Sequence, residues 1–294
     1  MISRFAPSTT GEAHPGTLLS ALLVWLDARS RGGRVLLRLE DLDTTRVKDD
    51  FATMLQEACA WIGLDWDEVI VQSDRRAAHE AALDALDAAG RLYPCACSRT
   101  QRAGGRRSPD GGWAYPNTCR TRRFVGGWRS RAKEESIRAR LPDDAITLVD
   151  ESGIDLSQTP AVDMGDPVVV RKDAVIAYQL AVVVDDHDAQ ITDVVRGRDI
   201  APSTATQIML QRLLGYPQPR YRHHFLLLEG SGDKLAKLHG SLPFSELRDR
   251  HDPRSLSSAL GRVANLGEGT PQELLARFEW AKVPREDRLA SDYF

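Results

Sequence analysis

Residues 4–28, "RFAPSTTGEAHPGTLLSALLVWLDA", decide how this chain is read, because a polar loop there runs straight into an apolar helix. Leu18 to Leu26 is nearly all hydrophobic, so a helix over 15–32 should be buried on most sides. Pro15 suits its first turn, where the missing N–H would have no partner in any case. The loop from Ser8 to His14 therefore stands at a helix N-terminus. Free backbone N–H groups and the positive end of the helix dipole favour an anion at such a place.

Outward from this stretch, strand-like and helix-like runs alternate. Strands are expected at 2–6, 34–41 ("RVLLRLED"), 145–149, 168–171, 174–184 and 191–196, with helices over 49–62, 74–90 and 203–214. "VLLRL" (35–39) and "AVVVD" (181–185) read as strands covered by helices on both faces. The tract 99–131 is rich in Gly, Arg and Ser and breaks the rhythm, as an insertion would. The fold class implied is α/β, a doubly wound (Rossmann-type) parallel sheet with an insertion and a small C-terminal helical region. Four segments are expected: 1–92 and 166–225 as the two halves of the catalytic sheet, 93–165 as the insertion, and 226–294 as a lysine loop plus helical region. In such folds ligands bind at the carboxyl ends of the strands, where the opening loop and "LEDLD" (39–43) would meet.

Composition narrows the class. The 294 residues are 42% hydrophobic and 28% charged, as in an ordinary globular protein. A net charge of −3 gives no global field for nucleic acid, so RNA would need a local basic patch. The first apolar run is too short to span a bilayer, and four Cys do not make a disulfide scaffold, so a cytoplasmic protein is expected.

Neither GxGxxG nor a P-loop occurs. The opening loop alone is a weak motif, since plain capping explains it equally well. Far downstream, "GDKLAKLHGS" (232–241) places Lys234 and Lys237 three apart between Gly232 and Gly240. By itself this is a solvated basic turn; paired with a phosphate-binding helix start, it offers mobile cations to a triphosphate.

"RFAPSTTGEAHPGT" and "KLAKL" resemble the HIGH and KMSKS nucleotide motifs of class I aminoacyl-tRNA synthetases. With "LRLEDLDTTR" (37–46) and "VVVDDHDAQITDVVRGRDI" (182–200), they are similar, in order, to the glutamyl/glutaminyl subclass. The match runs from residue 4 to about residue 240. Thr17 stands where the motif has its second His, and Ala236 and Leu238 where it has Ser. The 56 residues after Leu238 are too few for an anticodon-binding domain. That absence resembles the short glutamyl-queuosine tRNA(Asp) synthetase branch.

"YPCACSRT" (93–100) and "WAYPNTC" (113–119) add Cys95, Cys97 and Cys119, while Cys59 reads as core. Structural zinc takes four ligands, and the insertion holds no His. The resemblance to the short branch implies Cys95, Cys97, Tyr115 and Cys119 around one structural Zn2+ per chain. Asp110 or water are alternatives for the fourth corner, and three free thiols the alternative for the cluster.

Free glutamate brings one ammonium and two carboxylates, so its pocket needs an acid and at least one Arg. Glu40 ends a buried strand beside the loop, although Glu40, Asp41 and Asp43 can equally hold a metal or cap the next helix. Arg4 and Arg196 can each fork onto a carboxylate, a surface ion pair being the plainer fate of Arg196. Asp185, Asp186 and His187 stand at the end of the expected strand and shape the pocket.

The resemblance implies Arg4, Ser8, Glu40, Tyr178 and Arg196 as glutamate contacts. It implies Pro7, Ser8, His14, Gly16, Thr17, Lys234 and Lys237 as the ATP site, with His14 and Lys237 catalytic and Mg2+ entering with ATP. The activity implied is tRNA-independent activation of L-glutamate by a monomeric, membrane-free, ligase-type enzyme, then transfer to queuosine in the anticodon of tRNA(Asp). The Arg-rich insertion (Arg102, Arg106, Arg107, Arg120, Arg122, Arg123) with Trp113 and Trp128 would meet unpaired RNA bases. Two alternatives remain at this stage: a truncated glutamyl-tRNA synthetase charging a tRNA 3′ end, and a catalytically silent zinc-bearing RNA-binding paralogue.

Overall fold

The computed structural model describes residues 1–43, 49–98, 101, 105–229 and 242–294. From the N-terminus, β1 (Ile2–Phe5), α1 (Pro15–Ser30), β2 (Arg34–Leu39), α2 (Asp49–Trp61) and β3 (Glu68–Val71) alternate. Then come α3 (Arg76–Ala88), β4 (Leu92–Cys95), β5 (Ser136–Ala139), α4 (Pro160–Asp163), β6 (Val168–Val170) and α5 (Tyr178–Asp188). β7 (Asp193–Gly197), α6 (Thr204–Leu214), β8 (Arg220–His224) and β9 (Leu227–Leu228) follow. Three short helices, α7 (Phe244–Arg250), α8 (Pro253–Val263) and α9 (Pro271–Leu275), precede β10 (Arg288–Leu289).

These elements form two compact units. The first comprises Met1–Val71, Ile191–Arg198 and Arg220–Phe294; the second comprises Gln72–Gln190 and Asp199–Pro219.

In the first unit β3, β2, β1, β7 and β8 lie side by side in that order, every neighbouring pair parallel. β1 sits between β2 and β7, so the crossovers diverge there and open a crevice at the carboxyl ends of β1 and β7. One face of this sheet is apolar. Phe5, Val35, Leu37, Leu39 and Val195 join Leu18, Leu19, Leu22, Leu23 and Leu26 of α1 in one buried core. α1 is apolar all round because α8 and α9 cover the side that the sheet does not. Both of those helices start with Pro after a capping box, Asp252 with Ser255 and Thr270 with Glu273.

Asp193 closes the amino end of this sheet. It accepts from Arg31 at 3.0 Å and from Arg220 at 2.7 Å, tying the end of α1 to β7 and β8.

The second unit holds a small antiparallel sheet, β4-β5-β6, with α3, α5 and α6 packed on one another. Two expected strands are corrected here. Residues 174–184 contribute to helix α5, and "AVVVD" lies on it. A short, β-branched apolar run buried all round cannot be told from a strand by periodicity, and α3, α6 and β6 enclose this one. The chain turns before it, with Arg171 N–H donating to the Val175 carbonyl across Ala174 in the left-handed region. Residues 145–149 make only isolated bridges, Ile146 to Gln158 and Val149 to Asp155, around a turn at Gly153. Among the described residues no helix is long and apolar enough to cross a membrane.

Candidate active site and metal centre

The opening loop crosses the carboxyl edge of the first unit's sheet. Ser8 pairs with Glu40 in a parallel bridge, Glu40 N–H donates to the Pro7 carbonyl at 3.1 Å, and Thr9 N–H donates to the Glu40 carbonyl at 3.2 Å. The loop is thereby zipped to the extension of β2, with Ser8 exposed beside Glu40. His14 is the residue before α1, and its carbonyl accepts from Thr17 N–H at 2.9 Å and Leu18 N–H at 3.1 Å. Gly16 leaves room for the imidazole, since a Cβ there would lie 3.0 Å from His14 Cε1. Thr17 lies in the first turn of α1.

Strand register decides what faces what. Arg4 pairs with Leu36, Ser3 with Asp193, and Arg196 with His223. Because side chains alternate along a strand, Arg4, Arg38, Arg196 and His223 share one face, opposite the apolar face that packs on α1. Arg4, Arg38 and Arg196 are 3%, 1% and 5% exposed, so three guanidinium groups are held away from water on that face. Such burial is tolerated only with partners. Arg38 Nη2 lies 3.2 Å from Glu40 Oε1, and Arg196 Nε donates to His223 Nε2 at 3.0 Å. His223 therefore accepts at Nε2, while the Arg196 guanidinium stands 5.4 Å from the Tyr221 ring centre.

Tyr178, in the second unit, is the first residue of α5 and is exposed. Asp185, Asp186 and His187 lie in the last turns of α5 rather than at a strand end. Asp185 is held by His79 Nε2 at 2.7 Å and Gln72 Nε2 at 2.6 Å. Lys234, Lys237, Ala236 and Leu238 lie outside the described residues, as does Arg102.

The three cysteines of the insertion meet in the second unit. Their sulfurs lie within 4.8 Å of one another, a group that can hold a metal ion. Cys97 and Cys119 Sγ are 3.5 Å apart, far beyond disulfide length. Tyr115 Oη lies 3.4 Å from Cys95 Sγ and 3.9 Å from Cys97 Sγ, and it accepts the Cys119 N–H at 2.9 Å. Asp110 instead closes its own turn through Ser108 and the Gly112 N–H, outside the thiol group.

Gly165, at φ +79°, lets the chain pass against Tyr115, whose N–H donates to the Met164 carbonyl at 2.9 Å. Burial pushes the Cys95 thiol up, but its hydrogen bonds with Tyr115 and Arg138 outweigh it and bring it down to about 7. Burial, with the neighbouring Cys119 and Cys95, pushes Cys97 up. Cys59 is plain core, its thiol pushed up to about 12 by burial.

The basic stretch is not a free patch. Arg106 pairs with Asp163, Arg120 with Asp143 and Asp166, and Arg122 with Glu135. Trp128 is buried, its indole N–H donating to Asp84 at 2.7 Å. Arg107, stacked 3.9 Å over Trp113, is exposed.

Sequence reading passed over Arg38, His223, Arg138 and Asp166. Arg38 had left a signal, a lone charge inside the apolar run "VLLRL". The other three had none short of knowing the strand pairing.

The family model "tRNA synthetases class I (E and Q), catalytic domain" matches residues 1–284. This chain belongs to that family. As a class I synthetase it is a ligase-type enzyme, and its parallel sheet and zipped opening loop are the catalytic domain's. It is 40% identical over 97% of its length to a glutamyl-Q tRNA(Asp) synthetase of Symbiobacterium thermophilum, covering 94% of that protein. A protein of the same name from Thiobacillus denitrificans is 43% identical, over 93% of this chain and 87% of its own. A crystal structure of a glutamate tRNA ligase from Elizabethkingia meningosepticum in complex with its amino acid superposes with a TM-score of 0.79 at 25% identity. That match covers 98% of this chain but 66% of the longer ligase.

Proposed function

We propose that this synthetase activates L-glutamate with ATP, without tRNA, and transfers it to queuosine in tRNA(Asp). The observation that carries the reading is the polar face of the parallel sheet, where buried Arg4 and Arg196 share a side with the Arg38–Glu40 pair. A substrate with two carboxylates and one ammonium matches two guanidinium groups and one carboxylate. The names of the relatives point to the same amino acid and to the queuosine-bearing tRNA.

In this mechanism Arg4, Ser8, Tyr178 and Arg196 hold the glutamate and Glu40 takes its ammonium. Arg38, bonded to Glu40, fixes that carboxylate in place. The α-carboxylate oxygen attacks the α-phosphorus of ATP, the α–β phosphoanhydride bond breaks, and pyrophosphate leaves. His14, the loop amides around Pro7, Ser8, Gly16 and Thr17, and Lys234 and Lys237 stabilise the charge that grows on the phosphates. When bound with ATP, Mg2+ would supply further positive charge to the phosphates that these residues hold. A ring hydroxyl of queuosine then attacks the glutamyl carbonyl and releases AMP. Positioning and electrostatics carry the chemistry, with no protein nucleophile.

The thiol cluster serves as a structural zinc site with Cys95, Cys97, Cys119 and Tyr115 as ligands. Zn–S bonds of ~2.3 Å and Zn–O bonds of ~2.0 Å in a tetrahedron set S···S at about 3.8 Å and S···O at about 3.5 Å. The observed 3.5 Å between Cys97 and Cys119, and 3.4 and 3.9 Å from Tyr115 to Cys95 and Cys97, support that reading.

The deciding experiment supplies labelled glutamate to tRNA fractions with and without queuosine. Label on the queuosine-bearing tRNA(Asp) alone, and none when the queuosine diol is cleaved with periodate before the reaction, is the expected result. Charging of a tRNA(Glu) 3′ end would refute it.

A further inference from the structure

Four anionic ligands on one dication leave a site of charge −2, half-buried at Cys97 and Cys119 and inside the protein on its other side. Cys95 is fully buried and Tyr115 is 3% exposed. An uncompensated charge there is expensive, so a cation must stand close by.

The structure offers a buried one. Arg138, on β5 and 4% exposed, donates through Nε to Cys95 Sγ at 3.3 Å. Its guanidinium carbon lies 3.5 Å from the centre of the Tyr115 ring, so the same group touches two of the four ligands. Nη1 donates to the Asp166 backbone carbonyl, which fixes the fork in that pose. Among the described residues no carboxylate lies within ion-pair distance of Arg138. The nearby Asp166 carboxylate is taken by Tyr93 Oη at 2.8 Å, Leu141 N–H at 2.9 Å and Arg120 Nε at 3.3 Å. The other arginine beside the cluster, Arg122, is half-exposed and pairs with Glu135 while also reaching Cys119. Arg138 feels the Asp166 carboxylate at a distance, but the side chains it touches directly are those of Cys95 and Tyr115.

We propose that Arg138 is the counter-charge of the metal site, the residue that allows a tyrosine oxygen to join three thiolates on one zinc. It is a positioning residue that acts on the ligands without binding the metal. The inference rests on the zinc reading above and deepens it. Register brings it about: β5 pairs with β4 through Ser136 opposite Cys95 and Arg138 opposite Tyr93, which turns Arg138 into the cluster from the neighbouring strand.

The test measures zinc affinity of the full chain by competition with a chromogenic chelator. The variants are Arg138→Gln, Tyr115→Phe, the double variant and Arg138→Lys, with metal-free circular dichroism to establish folding. Loss of a group that hydrogen-bonds a metal ligand costs about 10–100-fold in affinity, and Arg138→Gln should fall in that range. In the Tyr115→Phe background the ring stays and one negative charge goes, so the same change should cost less than about tenfold. Arg138→Lys keeps the charge and should lose less than Arg138→Gln. Unchanged affinity in Arg138→Gln, or an equal loss in both backgrounds, overturns the inference while leaving the zinc site standing. If Arg138→Gln fails to fold, a folded Arg138→Lys chain that loses tenfold or more overturns it. A wild-type chain that takes up no zinc overturns the metal reading and this inference with it.

Discussion

Gly165→Ala should damage the second unit. Gly165 has φ +79°, and a Cβ built there would lie 2.1 Å from the Tyr115 carbonyl oxygen and 2.8 Å from the Tyr115 Cβ. Real Cβ atoms do not come closer than about 3 Å, so one backbone must retreat by roughly 1 Å. The left-handed conformation costs a side chain about 1–2 kcal/mol, and overpacking a buried contact about 1–3 kcal/mol more. A stiffer unfolded chain returns about 0.4–1 kcal/mol, which leaves a net loss of about 1–5 kcal/mol. The displaced segment carries Tyr115, so zinc affinity should fall together with stability. Urea unfolding of the metal-free chain reads the first quantity and chelator competition the second. A loss under ~1 kcal/mol with zinc affinity unchanged would show that the close approach of Gly165 to Tyr115 is not a constraint.

Three further outcomes are expected. Lys237→Ala should cut glutamate-dependent pyrophosphate exchange by about 10²-fold, the scale of one preorganised contact to developing charge, and near-normal exchange in a folded variant would remove it from the mechanism. Purified chain should carry about one zinc; Cys119→Ser and Tyr115→Phe should lower that content and Cys59→Ser should not, as elemental analysis will show. Asp193→Asn should destabilise at neutral pH: burial works against the carboxylate, but Thr192, Arg31 and Arg220 outweigh it and hold Asp193 below its usual range. Because the folded pKa is depressed, that contribution is complete above the unfolded value of about 3.9 and disappears as pH falls through the folded one. Urea midpoints of the two proteins should therefore converge in acid; a gap that stays constant down to pH 2–3 would count against this.

The sequence by itself determined the local parts: a buried helix expected at 15–32 and found at Pro15–Ser30, strands expected at 2–6 and 34–41 and found at Ile2–Phe5 and Arg34–Leu39, the loop set at a helix start and three cysteines clustered in one insertion. Each depends on periodicity, capping or residue chemistry within a few positions, and such signals survive in the linear chain. Tertiary structure decided the rest. "AVVVD" became helix because three elements enclose it, a long-range fact that its composition does not encode. Only parallel register shows that Arg4, Arg38 and Arg196 share a face, since one residue of slip would send each to the other side. The arginines of the insertion look like an RNA patch in sequence, yet Asp163, Asp166 and Glu135, up to 57 residues away, take up three of them. Charge in a sequence is a count; whether a charge is free to meet a ligand depends on which carboxylate the fold places beside it.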